Sequence, residues 1–397
     1  MHFRTGRALT VAALAAASVT VVSTTAASAA PAKPSPLVHT TSTSKAMSTR
    51  MAPQYGGYPL HVSTLTDQVK APLQLSVSGR YGVLVGDAGA SKLQQIRKGG
   101  ALRTLVKGPQ PGEVSGVDVN RRGDIAYTST NYANGATALT ILRKGHKPVT
   151  ADLSTFEKTH NPDKVNHYGT TTTNACAIAF LKQAGVPVSS TGSLYYTGLV
   201  DSHPYSVAAV DGGWVVGEAG GNDLLFVDNR GHVRLLAVLP PQPHIVTAAD
   251  AAALHAPSCV VGIRYDFEPV PTDVEVGHHG ELYVSTLPGG PEAPGFSPRG
   301  SVYRLSGNGQ HLRRLATGFD GATNLALTPS GRVLVAELFG GRISTIEHGR
   351  PAPVLDLPGV ASIEFYCHAL YAGVTGPTDA QGNPTGNGKV VKIDVRW

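Results

Sequence analysis

Residues 322–358 contain one complete supersecondary unit, and related units recur along the 397-residue chain. An apolar strand (325–327) is followed by a tight turn and a β-branched strand (332–336). After a pair of glycines come two further strands, 342–346 and 354–357. Four antiparallel strands joined by tight turns are typical of one blade of a β-propeller.

The first hairpin of this unit and its glycine recur at about the length of one blade. Imperfect repetition at this length predicts radial stacking, in which each sheet buries its faces against its neighbours. The chain is therefore predicted to be all-β and to form a six-bladed β-propeller of the NHL/SMP-30-like type. The six related units begin at Pro72, Val114, Pro204, Pro271, Ala322 and, near the end of the chain, Ala361.

The sixth unit contains only three strands before the sequence ends, so its fourth strand must come from elsewhere. Residues 58–65 (YPLHVSTL) precede the first unit and alternate in apolar character. An open ring would leave exposed strand edges, which propellers avoid. Residues 58–65 are therefore predicted to close the ring as the outer strand of the last blade.

Two segments, 159–203 and 240–268, lie between the last strand of one unit and the first strand of the next. The first segment lacks a glycine hairpin and contains a predicted helix at 174–184. Both segments are interpreted as inserts in the ring. A seventh, degenerate blade within the first segment is the alternative.

The N-terminus carries the features of a secretory signal. Arg4 and Arg7 form a basic start, residues 8–22 are small and apolar, and 27–29 (ASA) fit a cleavage site. The apolar run is too short for a membrane span. The predicted organisation of this secreted protein is a signal peptide (1–29), a Pro-, Ser-, Thr- and Ala-rich linker too polar to order itself (30–57) and the propeller (58–397).

The charged residues are distributed unevenly along the chain. The formal net charge is +6, but residues 1–57 hold five basic and no acidic residues, which leaves 28 basic and 27 acidic residues for the remainder. A nearly neutral propeller lacks the basic stripe that neutralises phosphates, so nucleic acid is excluded as an expected partner. The expected partner is a small molecule or an extracellular protein, bound by a monomer.

Several long strings resemble the ScyD/ScyE family of exported β-propellers, and the resemblance covers essentially everything after the linker. It implies a propeller outside the cytoplasm and lends no established activity. One departure is His278-His279, where the family usually carries Pro-Asp before the glycine of the hairpin. The strings are VVGEAGGNDLLFVD (215–228), AVLPPQP (237–243), EPVPTDVEVG (268–277), LYVSTLPGGPE (282–292), RGSVYRL (299–305), ATGFDGATNLAL (316–327) and VAELFGGRIST (335–345).

Strand connectivity assigns the loops to two rims of the ring. In a four-stranded blade, the first and third turns lie on one rim, while the second turn and the connection to the next blade lie on the other. The first class is short throughout. The second class holds both inserts and the loops 131–135, 288–299 and 375–388. This second rim, here called the long-loop rim, is predicted to bind the ligand.

Polar side chains are predicted to meet where the long-loop rim surrounds the central channel. Carboxylate and amide oxygens suit a hard cation such as Ca²⁺ or Mg²⁺, or a general acid and base. They equally suit hydrogen bonds to loop amides at strand ends. Asp273 and Asn324, on adjacent blades, are the candidate metal ligands by analogy with lactonase-type propellers. The ligand-face candidates are Asp87, Ser206, Glu218, Asp273, Asn324 and Glu337.

Three cysteines allow three pairings, and their positions in the topology favour one. Cys176 and Cys259 lie in the two inserts on the same rim, whereas Cys367 lies in a first hairpin on the opposite rim. A disulfide between Cys176 and Cys259 is predicted, as befits an exported protein. Three buried thiols are the alternative, and Cys367 is expected to be buried.

The common catalytic motifs are absent from the sequence, which contains no GxSxG elbow, HExxH, Walker loop or dinucleotide fingerprint. The leading hypothesis is a secreted binding or scaffold protein that uses the long-loop rim. The alternative is a metal-assisted hydrolase or lactonase at the central channel that uses Asp273, Asn324, Glu218 and, as a further candidate, Glu337. Asp273 and Asn324 are the candidate ligands of its one divalent cation. Whether the protein is an enzyme stays open at this point.

Overall fold

The computed structural model describes residues 54–55, 58–59, 61–291, 295–307, 309–377 and 385–394. The predicted signal peptide (1–29) lies outside the described residues, as does the predicted linker (30–57) except for 54–55. Within the described part, no helix is long and apolar enough to cross a membrane.

The first two blades follow a short N-terminal hairpin. Its strands are β1 (Gln54–Tyr55) and β2 (Tyr58–Pro59), and a longer strand, β3 (His61–Val69), comes next. Blade 1 consists of β4 (Pro72–Ser78), β5 (Gly82–Asp87), β6 (Lys92–Ile96) and β7 (Leu102–Lys107). Blade 2 consists of β8 (Gly112–Val119), β9 (Ile125–Asn131), β10 (Ala136–Leu142) and β11 (Val149–Asp152).

Two inserts flank the third blade. The first begins at Leu153, six residues before the predicted start at residue 159, because a helix follows β11 directly. It contains α1 (Leu153–His160), the 3₁₀ turn Pro162–Val165, β12 (His167–Gly169), α2 (Ala175–Gln183) and β13 (Tyr195–Thr197). Blade 3 consists of β14 (Pro204–Val210), β15 (Gly213–Glu218), β16 (Asp223–Asp228) and β17 (Val233–Val238). The second insert contains β18 (Gln242–Ile245), α3 (Ala248–Ala253), the 3₁₀ turn Ser258–Val260 and β19 (Arg264–Phe267).

The last three blades complete the ring. Blade 4 consists of β20 (Pro271–Val276), β21 (Leu282–Thr286), β22 (Gly300–Leu305) and β23 (Leu312–Phe319). Blade 5 consists of β24 (Ala322–Leu327), β25 (Val333–Glu337), β26 (Arg342–Glu347) and β27 (Arg350–Asp356). Blade 6 consists of β28 (Val360–Tyr366), β29 (Ala369–Val374), β30 (Gly388–Asp394) and, on its outer edge, β3.

The innermost strands form a closed ring, so the chain is an all-β propeller. Strands β4, β8, β14, β20, β24 and β28 contact one another in this order, and β28 contacts β4. One apolar cluster lies between each pair of neighbouring blades; Trp214, for example, packs with Leu139 between blades 2 and 3. Each sheet thus buries its two faces against its neighbours, as the repeat predicts.

The N-terminal strand closes the ring by pairing antiparallel with β30. His61 opposes Asp394, and Val69 opposes Gly388 at the other end of the ladder. The prediction that an N-terminal strand completes the last blade is therefore confirmed, although the strand runs four residues beyond the predicted end at residue 65.

The inserts form one more four-stranded sheet, in the order β13-β12-β19-β18. Strands β12 and β13 come from the first insert, and β18 and β19 come from the second. The inner strands of the six blades contact around the ring without this sheet. The predicted helix at 174–184 is present as α2, capped by the side chain of Asn174, which accepts a hydrogen bond from the amide of Ala177.

The hairpin between the first and second strands of each blade explains why the repeat can be recognised in the sequence. In blades 1 to 5 each hairpin contains a glycine with φ between 69° and 84°, the left-handed region that glycine adopts without a Cβ clash. In blade 6 the same turn is made by Cys367 and His368, with φ of 45° and 62°. The glycines of the other five blades are Gly82, Gly123, Gly212, Gly280 and Gly331.

The expectation that Cys367 is buried is wrong, because the thiol is exposed. Cys367 lies at the tip of the hairpin between β28 and β29, where Tyr366 pairs with Ala369 across a two-residue turn. Both turn residues have positive φ, and such turns place their side chains outside the two-stranded ladder. The short turn therefore exposes the one cysteine that the predicted disulfide leaves unpaired.

Candidate functional site

A disulfide ties the two inserts together. Cys176 on α2 is bonded to Cys259 in the second insert, with Cα atoms 6.2 Å apart. A small core of Ala177, Ala251 and Val260 lies beside the bond. The predicted pairing is therefore confirmed, and the inserts form a single subdomain between blades.

Removal of this disulfide is expected to loosen the inserts while the ring stays folded. In the chain-entropy model, opening a loop of this length (sequence separation 83) costs about 4 kcal/mol of stability. We expect the Cys176→Ser, Cys259→Ser double variant to show faster amide exchange in the inserts by hydrogen–deuterium exchange mass spectrometry. Cys367→Ser is the control and should exchange like wild type. Equal protection of the inserts in the double variant would contradict the expectation.

The two predicted metal ligands lie in the wall of the channel, where their oxygens accept hydrogen bonds from backbone amides. Asp273 accepts from the amide of Leu325 at 3.0 Å, and Asn324 accepts from the amide of Ile363 at 2.7 Å. Each bond joins one inner strand to the next. Among the described residues, no three acidic, imidazole or thiol groups stand in a ready ligand arrangement.

Gln74 closes the mouth of the channel. Its amide nitrogen donates to the carbonyl of Thr272 on the opposite blade at 3.0 Å, and its oxygen accepts from the side chain of Asn324 at 3.1 Å. Ser206, the remaining candidate of this layer, is fully buried, and its hydroxyl has no hydrogen-bond partner. The predicted polar ring is therefore present as a set of mostly hydrogen-bonded side chains.

A second layer of carboxylates lies deeper in the channel. Asp118 accepts from the amide of Ala209 at 2.7 Å and from Ser76 at 3.0 Å. Burial raises the pKa of Asp118, and burial and mutual repulsion raise the pKa of Glu275 and Glu364 well above the usual range. Burial also raises the pKa of Asp273 to about 7, and the Asp118 charge adds to this effect. The channel thus holds four carboxyl groups that resist ionisation.

The rim carboxylates of blades 1 and 5 are buried and accept hydrogen bonds from the segment that enters their blade. Asp87 accepts from the amides of Lys70 and Ala71, just before β4, at 2.9–3.1 Å. Glu337 accepts from the amide of Asp320, just before β24, at 2.6 Å and from Arg342 at 2.8 Å. These contacts hold the connection into the first strand against the end of the second strand.

The equivalent carboxylate of blade 3 lies in an acidic cluster. Glu218 accepts from Ser202 at 2.8 Å and from the amide of Gly221 at 2.5 Å. Near it are Glu157 of α1 and Asp223, the first residue of β16, and all three carboxylates are buried. Burial raises the pKa of Glu218 to about 7, and burial with the Glu218 charge raises that of Glu157 to about 8.

Asp163 lies next to this cluster, in the 3₁₀ turn of the first insert. One of its oxygens accepts from Asn222 at 2.9 Å and from the hydroxyl of Tyr168 at 3.2 Å. Its other oxygen is buried without a hydrogen-bond partner. Burial raises the pKa of Asp163 to about 6. The first insert therefore contributes two buried carboxylates to the surroundings of blade 3.

A buried ion pair joins the end of the first insert to blade 2. The imidazole of His203 contacts the carboxylate of Glu113, and the two side chains are only 6% and 1% exposed. Burial opposes the charge of both groups, but their attraction is stronger: it raises the pKa of His203 and lowers that of Glu113. Both shifts favour the ionised form of the pair, which anchors the insert to the ring.

Sequence reasoning named Glu218 but missed Glu113, Glu157, Asp163 and Asp223. The sequence did contain a signal for one of them, Asp223. In the strings DAGASK (87–92), EAGGND (218–223) and ELFGGR (337–342), the acidic residue and the residue five positions later face each other across the second and third strands. The later residue is basic in two of these strings, as Lys92 and Arg342, and acidic in the other, as Asp223.

No family model and no curated protein matches the chain. Solved structures that resemble it include virginiamycin B lyase from Staphylococcus aureus, with 13% identity, coverage of 85% of this chain and 99% of the other, and a TM-score of 0.45. An aldose sugar dehydrogenase from Streptomyces coelicolor, in its PQQ-bound form, has 12% identity, coverage of 85% and 98%, and a TM-score of 0.49.

A gluconolactonase from Xanthomonas campestris has 12% identity, coverage of 85% of this chain and 90% of the other, and a TM-score of 0.49. At such identities a likeness concerns the fold alone, since one fold supports many unrelated activities. With TM-scores below 0.5, these likenesses carry no argument about the ligand or the reaction of this chain.

Proposed function

We propose that this protein is a secreted, monomeric binding or scaffold protein of the ScyD/ScyE type that holds an extracellular protein on its long-loop rim. The observation that carries the proposal is the position of exposed apolar side chains. Of the nine large apolar residues exposed in the described part of the chain, six lie on the two inserts. Apolar surface of this kind, gathered on a rigid support, is typical of protein-binding sites.

These side chains fall into two groups on the inserts. Val165, 70% exposed, is the last residue of the 3₁₀ turn that begins after Asn161. The side-chain amide of Asn161 donates to the carbonyl of Gly198, just before the exposed Leu199 and Val200. In the second insert, Ile245 and Val261 flank a backbone pair between residues 246 and 262. The disulfide and the His203–Glu113 pair limit the motion of this surface. A preorganised surface binds with a smaller entropic cost.

The proposal is tested with Val165→Ser, Val200→Ser, Ile245→Ser in one variant. Its matched control is Val62→Ser, Leu235→Ser, which removes two exposed apolar residues from outer strands instead. Wild type is immobilised, the culture supernatant of the source organism is passed over it, and the retained protein is identified and purified. We expect that partner to bind the rim variant at least about tenfold more weakly, and the control variant as tightly as wild type.

Two outcomes would overturn the binding proposal. One is that the purified partner binds the rim variant as tightly as wild type. The other is that every protein retained by immobilised wild type is retained equally by the immobilised rim variant. Thermal unfolding of all three proteins, expected to agree within a few degrees, excludes a folding defect as the cause of weaker binding.

A metal-assisted hydrolase or lactonase at the central channel is the second candidate. It is favoured by the four channel carboxyl groups with raised pKa values, because catalytic sites often contain such groups. Under this hypothesis Asp273 and Asn324 would hold one Ca²⁺ or Mg²⁺ ion. Turnover of lactones or esters by wild type, lost in Glu364→Gln, would support it, and no turnover with any divalent ion would refute it.

A further inference from the structure

Three blades carry an acidic residue at the end of the second strand, and the residue that faces it on the third strand differs. In blade 1 Asp87 faces Lys92, and in blade 5 Glu337 faces Arg342. The Arg342 guanidinium contacts the Glu337 carboxylate at 2.8 Å. The same position of the fold thus carries a buried acid with a cation beside it in both blades.

In blade 3 the acid at this position, Glu218, faces a second acid, Asp223. Like charges directly opposite each other destabilise a pair of strands. Glu157 adds a third carboxylate from α1. The charges that act most strongly on Asp223 are those of Glu218, Glu157 and Asp163, and all of them are negative. The basic residue found in blades 1 and 5 is therefore replaced here by further carboxyl groups.

Asp223 is the clearest sign that a group is lacking at this place. It is 1% exposed, and neither of its carboxylate oxygens has a hydrogen-bond partner. One oxygen of Glu157, 4% exposed, is also buried without a partner. Burying an uncompensated carboxylate costs several kcal/mol, so native proteins pair such groups, bind an ion to them or keep them protonated.

The three carboxylates converge beside Gly221, where a residue with a side chain would crowd their oxygens. A Cβ atom at this residue would lie 3.1 Å from an oxygen of Glu157, 3.2 Å from one of Glu218 and 3.7 Å from one of Asp223. The backbone of Gly221 does not have a positive φ, so the conformation does not require glycine here. A side chain at this position would instead fill the space between the three carboxylates.

We propose that one Ca²⁺ ion binds between Glu157, Glu218 and Asp223 and supplies the positive charge that Lys92 and Arg342 supply in the other blades. Rotation of the side chains into the space beside Gly221 would draw the oxygens onto the ion. Ca²⁺ suits the site better than Mg²⁺, because it tolerates irregular sets of six to eight oxygens, including water. The ion would fasten α1 of the first insert to blade 3.

The site is tested by calcium titration and thermal unfolding of the full chain after treatment with a chelator. For wild type we expect about one equivalent of Ca²⁺ by calorimetry and a rise in Tm of roughly 3–8 °C at saturation. Asp223→Asn should lose at least about tenfold in affinity. Asp320→Asn, which removes a rim carboxylate of blade 5 outside the site, should bind Ca²⁺ like wild type.

A further variant tests whether a positive charge stabilises the cluster without the ion. Asp223→Lys places in blade 3 the base that blade 1 has at the same position, so its Tm in chelator should exceed that of chelated wild type and should not respond to Ca²⁺. The proposal is overturned if wild type binds no Ca²⁺, or if Asp223→Asn binds it as tightly. It is also overturned if the Tm of wild type rises only on acidification, since protons would then neutralise the cluster.

This calcium site stands apart from the proposed binding function and from the channel alternative. Loss of the bound ion in Asp223→Asn, with retention in Asp273→Asn, places the ion in blade 3. The reverse result places it in the channel and overturns the proposal made here. Binding of a partner by the rim is measured separately, so the failure of one proposal leaves the other to its own test.

Discussion

Replacement of His203 by alanine is expected to lower the free energy of unfolding by about 3–5 kcal/mol near pH 6. The imidazole and the Glu113 carboxylate are almost completely buried and form an ion pair. Without His203, the carboxylate keeps its bond from Ser115 at 2.7 Å but loses its positive partner in a medium of low polarity. A buried charge without a partner is among the largest single sources of destabilisation.

The pH dependence identifies the cause of this loss. The pKa of His203 is raised, so its contribution is complete below the ordinary value of 6.5 and is lost as the pH rises through the folded value. The pKa of Glu113 is lowered, so its contribution is complete above 4.5 and is lost as the pH falls through the folded value. The difference between wild type and His203→Ala should therefore be largest between about pH 4.5 and 6.5.

Urea unfolding from pH 4 to 9 measures this difference. His232→Ala is the matched control, because His232 contacts Asp228 at 2.8 Å but is 76% exposed. An exposed pair contributes about 0–1 kcal/mol, so the control should unfold nearly like wild type. If the two variants lost the same free energy, or if the loss for His203→Ala did not vary with pH, the ion pair would not be the cause.

The ring was predictable because five of the six blades repeat a local signal. A glycine turn followed by a strand of buried apolar residues is a property of neighbouring residues, and Gly331 with the strand from Val333 to Ala336 shows it. The closing strand was predictable for a different reason, since β30 would otherwise present an open edge. The disulfide followed once the topology had placed Cys176 and Cys259 on one rim.

The sheet of the inserts could not be predicted in the same way. Its strands are three or four residues long, and the whole of blade 3 lies between the paired residues Gly169 and Asp266 in the sequence. Strands this short are too short to show an alternation of apolar and polar residues. The residues around them do not specify a pairing strand that is so distant in the sequence. Glu157 was missed for the same reason, because Glu218 and Asp223, which it approaches in the structure, follow it by about 60 residues in the sequence.

The candidate metal ligands of the channel are expected to act first of all on stability. Asn324→Ala removes the acceptor of the buried Ile363 amide and the donor to Gln74, and should lower the free energy of unfolding by about 3 kcal/mol. Asp273→Ala removes the acceptor of the Leu325 amide and should cost about 2 kcal/mol at pH 5. Asp273→Asn keeps an acceptor oxygen and should cost less than about 1 kcal/mol at that pH.

At pH 8 the order of wild type and Asp273→Asn should reverse. Burial raises the pKa of Asp273 from 3.8 to about 7, so the folded state binds more protons than the unfolded state between these values, and stability falls as the pH rises through them. Asparagine does not ionise, so the variant lacks this part of the fall and should be more stable than wild type at pH 8. Urea unfolding at pH 5 and pH 8 measures both orders. A variant less stable than wild type at both pH values would mean that the ionised carboxylate is needed, as a cation in the channel would require.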